Sequence, residues 1–363
     1  MSNQLIVRGA PQEYSCHEGS WSTLPDHLNA RKLTKLLVLH GKDSWEAAKP
    51  YLPDLSEFDS TYEYYGGVCT DQRTSEVVAL FQKSKNEAII AVGGGKITDL
   101  AKQAAHQLRC PVIILPTLAS TCAAYTPLSV MYFEDGAMDR FDIFPQANAL
   151  VLIEPRVILA SPRKLLIAGI ADTLAKWYEG DAIIRQLDTV PVEVQVAHFA
   201  AKQCQENLLT YSYDALAAMD QQELNAAFLT VVETNILLAG MVGGFGDEYG
   251  RTAGAHSIHD AITMIPESHH QLHGNKVAYG IFVQLVIEKN LPEIEKLLPF
   301  YQELELPTCL ADMNMHFTEE DYRRVAERAT IPEESIHLLA EEISPEIVIA
   351  AMKELETFIT NKK

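Results

Sequence analysis

Basic residues are scarce in this chain: 29 Lys and Arg stand against 49 Asp and Glu, a formal net charge of −20. Such a surface repels phosphodiester backbones and anionic headgroups, so neither nucleic acid nor membrane is expected as a partner. Cysteine is sparse as well. The six cysteines (Cys16, Cys69, Cys110, Cys122, Cys204 and Cys309) are scattered and form no C-x-x-C pair. They suggest reduced thiols, not a disulfide framework or a zinc knuckle. No apolar run is read as reaching the ~18 residues of a membrane span. The opening MSNQLIVRGA lacks the basic start and apolar core of a secretory leader, so a cytoplasmic location is expected. The G-x-G-x-x-G fingerprint is also missing, which argues against an ordinary Rossmann label.

What is present is a chain of 363 residues, 47% hydrophobic, enough for about two domains with sizeable cores. Its organising stretch is AIIAVGGGKITDL, Ala88 to Leu100. An apolar run ends at Gly93, Gly94 and Gly95, and a helical segment follows from Lys96. Glycine lets a backbone approach an oxyanion closely or adopt positive φ, and the new helix aims unpaired N–H groups at the same spot. The arrangement suits a phosphate; a plain tight connection is the alternative.

Short strands are expected at residues 5–8, Lys35 to His40, Thr61 to Val68, Ala88 to Val92 and Pro111 to Leu115. Helical segments separate them: Gly19 to Ala30, Trp45 to Tyr51, Asp71 to Gln82 and Lys96 to Leu108. This alternation predicts a parallel sheet covered on both faces, with ligands at the carboxyl ends of its strands. From Ser161-Pro162 onward helices dominate, notably Thr189 to Asn207, Gln222 to Met241 and Val277 to Lys289. Thr318 and Asp321 form a capping-box pattern ahead of Glu319 to Arg328, and Ser344-Pro345 opens a last helix. The expected organisation is an α/β domain over residues 1–160 followed by an all-α domain over 161–363.

Chemistry concentrates in the helical half. Asp172 lies in an apolar helical context, where a buried carboxylate requires a cation: Lys176 one turn on, or a metal. His256 and His259 share a helix face, and His273 follows in LHGNK. Five of the twelve histidines fall between 256 and 273. One carboxylate and two imidazoles leave a divalent metal open positions, as catalysis requires. His269 and His270 are possible rival ligands.

Five blocks together are similar to the iron-containing alcohol dehydrogenase family: GGGKITDLAK, PTLASTCAAYTPLSVMY, AGIADTLAKWYE, GAHSIHD and LHGNKVAYG. Within it the chain resembles the glycerol dehydrogenase-like branch, on the side of its hydroxycarboxylate dehydrogenases. The resemblance spans about residues 5 to 360. It implies a dehydroquinate synthase-like architecture, a Rossmann-like parallel sheet binding NAD(P)(H), a helical metal domain and hydride transfer. It also implies a homo-oligomer and a small-molecule substrate. The family's metal ligands match Asp172, His256 and His273, for zinc or iron. Relatives with a fourth ligand carry a histidine where Lys176 stands here. Cofactor contacts match Gly94, Gly95, Lys96 and Asp99 at the pyrophosphate, and Thr117, Ser120, Thr126, Leu128 and Tyr132 on the nicotinamide side. His259 is a candidate second-shell or proton-relay residue, and Lys176 a candidate for the substrate carboxylate.

Two departures bear on specificity. Cys122 stands where glycerol dehydrogenases carry an aspartate, which removes a hydroxyl acceptor and a negative charge. An anionic 2-oxo acid is therefore expected in place of glycerol, with a polyol dehydrogenase as the alternative and a dehydroquinate synthase-like lyase more distant. After the early strand, His40-Gly41-Lys42 offers no acidic residue to repel a 2′-phosphate, so NADP(H) is expected to be accepted.

Overall fold

The computed structural model describes residues 5–339 and 342–362. The chain groups into two compact units. One holds Arg8–Leu166 together with Tyr211–Gly240; the other holds residues 5–7, Ile167–Thr210 and the chain from Met241 on. Residues 211–240, beyond the expected break near 160, thus group with the sheet.

The first unit is built on six parallel strands: β1 (Tyr14–Cys16), β2 (Lys35–His40), β3 (Asp59–Tyr64), β4 (Ala88–Gly93), β5 (Val112–Pro116) and, later in the chain, β8 (Leu150–Ile153). Their order is β1-β8-β5-β4-β2-β3. β4 and β5 are buried along their whole length, as continuous apolar runs in a two-sided sheet should be. The edge strand β3, DSTYEY, is polar and partly exposed, which discourages pairing with another chain. It stops before Val68 because Gly66 and Gly67 both turn the backbone at φ near +90°. Trp21, Leu24 and Leu28 pack on Leu36, Ile90, Ile113 and Leu152, and the Trp21 indole donates to Leu152 O at 2.8 Å.

Residues 5–8 form no strand; the edge position beside β8 is taken by Tyr14–Cys16. Ile6 and Val7, whose apolar character suggested the strand, are exposed. A two-stranded antiparallel hairpin, β6 (Leu128–Tyr132) and β7 (Met138–Ile143), was not anticipated.

Helix α1 (Gly95–Leu108) follows the glycine turn. The other unit is helical, and its site is carried on α2 (Arg163–Ile184), α3 (Gly254–Ile262) and α4 (His273–Ile287). Helix α4 fits closely: a Cβ on Gly274 would lie 1.9 Å from Ala168 O, and one on Gly280 2.3 Å from Ala255 O. The capping box of Thr318 and Asp321 forms as expected. The expected helix Gln222 to Met241 is interrupted: Ala226–Glu233 passes into a π turn, Thr234–Leu238, before Ala239–Gly246. By length and composition the run Ala226–Tyr249 could cross a membrane, in contrast to the expectation that no stretch would, although Glu233 and Asn235 interrupt its apolar sequence. More than half of it is buried inside the protein.

Candidate metal centre and dinucleotide site

In the helical unit, Asp172 on α2, His256 on α3 and His273 at the start of α4 bring ligand atoms to within 4.8 Å of one another. Asp172 Oδ1 lies 3.2 Å from His256 Nε2 and 3.1 Å from His273 Nε2. Burial works against the Asp172 charge, but the two imidazoles hold its carboxyl well below the usual carboxylate range.

The far nitrogens of both rings are engaged. His256 Nδ1 lies 2.6 Å from Glu179 Oε2. Glu179 Oε1 accepts from the backbone N–H of Ala253 at 2.7 Å and of His256 at 2.9 Å. His273 Nδ1 lies 2.9 Å from His259 Nε2, and His259 Nδ1 lies 2.8 Å from Asp260 Oδ1. Carboxylates only accept here, so with singly protonated rings, the state a metal needs, each chain has one consistent proton assignment. Nδ1–H of His256 points at Glu179; Nδ1–H of His259 points at Asp260; Nδ1–H of His273 points at His259. In that tautomer both Nε2 lone pairs are free for a cation on the side where Asp172 lies. With no cation between them, burial and Lys176 are outweighed by Glu179 and Asp172, which raise His256 to about 9, so its ring carries a proton on both nitrogens. Two imidazole nitrogens and a carboxylate oxygen, with the histidines oriented by outer partners, fit a divalent zinc or iron.

Burial, reinforced by His273, pushes His259 down to about 3, so it is a neutral ring. Lys176, one turn after Asp172, donates to Arg251 O at 2.9 Å. Lys276, one turn after His273, is buried and pushed down to about 8 by burial, against the pull of Asp260. His269 and His270 are exposed and stand outside the cluster.

The sheet unit brings the other candidates together. No glycine of the turn has positive φ; close approach explains them instead. A Cβ on Gly93 would lie 2.0 Å from Ile97 Cδ1, and one on Gly94 2.8 Å from Leu118 Cδ1. The segment after β5 is tied to the turn by Thr117 N–H donating to Gly93 O at 3.1 Å. Thr117 Oγ1 is buried without a protein partner, an orphaned polar atom that a ligand could satisfy. Lys96 sits 5.3 Å over the Tyr132 ring. Ser120, Cys122 and Leu128 are partly accessible, while Thr126 is buried. Asp99 faces inward, 2.9 Å from Lys102. Gly41 and Lys42 follow β2, whose end pairs with the end of β4, and Lys42 Nζ lies 5.0 Å over the Tyr64 ring. Residues, bare turn and orphaned hydroxyl fit a dinucleotide.

Glu179 and Asp260 were not among the site residues expected from the sequence. Glu179 had a signal: seven residues after Asp172, it falls on the same helix face.

The sequence model described as iron-containing alcohol dehydrogenase matches residues 11–154. The chain is 36% identical over 358 residues to hydroxycarboxylate dehydrogenase A of Escherichia coli (strain K12), covering 98% of this chain and 99% of that one. It is 32% identical over 301 residues to a glycerol dehydrogenase of Thermotoga maritima, covering 82% and 81%. The crystal structure of a probable glycerol dehydrogenase from Sinorhizobium meliloti 1021 superposes with a TM-score of 0.89 at 28% identity, covering 98% and 100%.

Proposed function

The chain belongs to the iron-containing alcohol dehydrogenase family, an oxidoreductase acting on CH–OH groups, and from that premise we propose that it reduces 2-oxo acids to 2-hydroxy acids. The observation that carries this reading is the end-to-end similarity to a hydroxycarboxylate dehydrogenase. Cys122 supports it: a side chain without negative charge stands where the glycerol dehydrogenase pattern has an aspartate.

A divalent metal held by Asp172, His256 and His273 would supply Lewis acidity to the carbonyl oxygen, and a reduced nicotinamide on the glycine-turn unit would supply the hydride. The chain's own residues prepare both. Glu179 fixes the His256 tautomer, and Asp260 acting through His259 fixes that of His273. Both nitrogens of His259 are occupied, which favours an orienting role over proton donation. Lys176 already has a backbone acceptor in Arg251 O, so a role at the substrate carboxylate would require it to leave that carbonyl. The end of β2, His40-Gly41, carries no acidic residue and is followed by Lys42, which supports acceptance of NADPH.

Glycerol oxidation is the second reading, favoured by the glycerol dehydrogenases among the relatives. Nicotinamide absorbance separates the two. Metal-loaded protein is given NADPH or NADH with 2-oxobutanoate, and in parallel NAD⁺ with glycerol. Chelator-sensitive turnover of the oxo acid, well above glycerol turnover, is expected; the reverse ranking overturns the proposal.

A further inference from the structure

The segment Thr117–Leu128, between β5 and β6, is held from behind by three buried side chains. Lys102, on α1, donates from its ammonium to Ala123 O at 2.8 Å, to Thr126 O at 3.2 Å and to Leu128 O. The same ammonium pairs with Asp99 at 2.9 Å. Asn148 donates through Nδ2 to Ala124 O at 3.0 Å and Tyr125 O at 3.3 Å. Asn235, inside the π turn, donates through Nδ2 to Ala119 O at 2.9 Å. Lys102 and Asn148 are 2% exposed and Asn235 is wholly buried.

Two of these arrangements carry a local penalty. An ammonium is costly to bury, and this one is compensated by a carboxylate and three carbonyls of a single irregular segment. A π turn is a weaker helical form that persists where something else requires it. Here it places Asn235 against Ala119, and five residues later Gly240 seats on Tyr125, where a Cβ would lie 2.3 Å from the ring. Both devices act on the same stretch. The carbonyls of Ala119, Ala123, Ala124, Tyr125, Thr126 and Leu128 are all engaged by these three side chains, with no ligand needed to satisfy them. It carries Thr117, Ser120 and Thr126 and leads into Leu128.

We propose that Lys102, together with Asn235, is a positioning residue for the nicotinamide half of the cofactor, setting from behind the shape of the segment that holds the ring. The proposal rests on the reading that this segment takes the nicotinamide. Neither side chain needs to touch the cofactor.

The test titrates full-length metal-loaded wild type, Lys102→Met and Asn235→Ala with NADH and with ADP-ribose, which lacks only the nicotinamide. In Lys102→Met the Kd for NADH is expected to rise about tenfold, the worth of one charged hydrogen bond. ADP-ribose should stay within about twofold, and the fluorescence change of bound NADH should be lost. Asn235→Ala leaves no charge behind and should shift the same way by less. Equal weakening of both ligands, or no change in either, overturns the proposal and leaves purely structural roles. Should Lys102→Met fail to fold, the Asn235→Ala profile decides by the same criterion. Wild type that binds NADH no differently from ADP-ribose would refute the segment's assignment itself, and the proposal with it, before any variant is made.

Discussion

Replacing Glu179 by Gln separates orientation of His256, the proposed metal ligand, from mere packing, because the two side chains have the same shape. Glu179 receives three donors: the N–H groups of Ala253 and His256 on Oε1 and the His256 ring on Oε2. An amide offers one accepting oxygen and one NH₂ group. If the oxygen faces the backbone donors, the NH₂ meets His256 Nδ1, which must then accept. The ring proton moves to Nε2, the atom a metal needs. If the oxygen faces the ring, two buried backbone N–H groups are left opposed by a donor. Either way the metal-competent state is penalised. Loss of such an outer partner typically weakens metal binding about 10- to 100-fold, or roughly 1.4–2.7 kcal/mol. Competition with a chromogenic chelator would measure it at neutral pH, and saturating metal should restore most of the activity. Unchanged metal affinity in folded Glu179→Gln would refute the tautomer argument.

Lys276 gives a pH signature. Burial lowers it to about 8 in the folded chain, against ~10.4 when unfolded. Between these values the unfolded chain binds a proton that the folded chain has shed, so stability should climb with pH through that window. Lys276→Met should abolish this climb and stabilise the protein at neutral pH, by at most roughly 3 kcal/mol. Thermal melts of both proteins across the window check it, and parallel profiles would contradict the burial. Gly274→Ala forces a Cβ to 1.9 Å from Ala168 O and should cost about 2 kcal/mol or more by pushing α4 from α2; an unchanged Tm would show that the helices yield freely. Lys42→Met should raise KM for NADPH about tenfold while sparing NADH, and equal effects would remove Lys42 from 2′-phosphate recognition.

The fold was legible where one chemical signal dominates. Lys35–His40 and Ala88–Gly93 are continuous apolar runs, and a buried parallel strand needs nothing else. The capping box at Thr318 is a local hydrogen-bond pattern and appears as read. The misses have equally physical causes. Tyr14–Cys16 is three residues long and exists by pairing with β8, more than 130 residues away, so no periodicity can develop. In the hairpin β6–β7 burial alternates along β6, but the buried positions are Ser129 and Met131 and β7 has no buried residue, so no apolar alternation shows in the sequence. The π turn at Thr234 inserts a residue between two segments that are each helical, with no glycine or proline at the junction to mark it.

Within the site, ligand candidates and their outer partners differ in what sequence can encode. Asp172, His256 and His273 announce themselves because imidazole and a carboxylate in apolar helices are chemically conspicuous. Glu179 was conspicuous too, but a buried carboxylate reveals only that it needs donors, not which ones. Two of its donors are backbone N–H groups 74 and 77 residues further on. Lys102 is the extreme case. Its acceptors are backbone carbonyls 21 to 26 residues away, and every residue type carries that group. Positions 123 and 126 could change identity without altering the oxygens that Lys102 binds. A buried lysine just behind a glycine turn is therefore a signal whose meaning is fixed by chain path alone, which explains why candidate contact residues can be named from a sequence while the groups proposed to hold them in shape cannot.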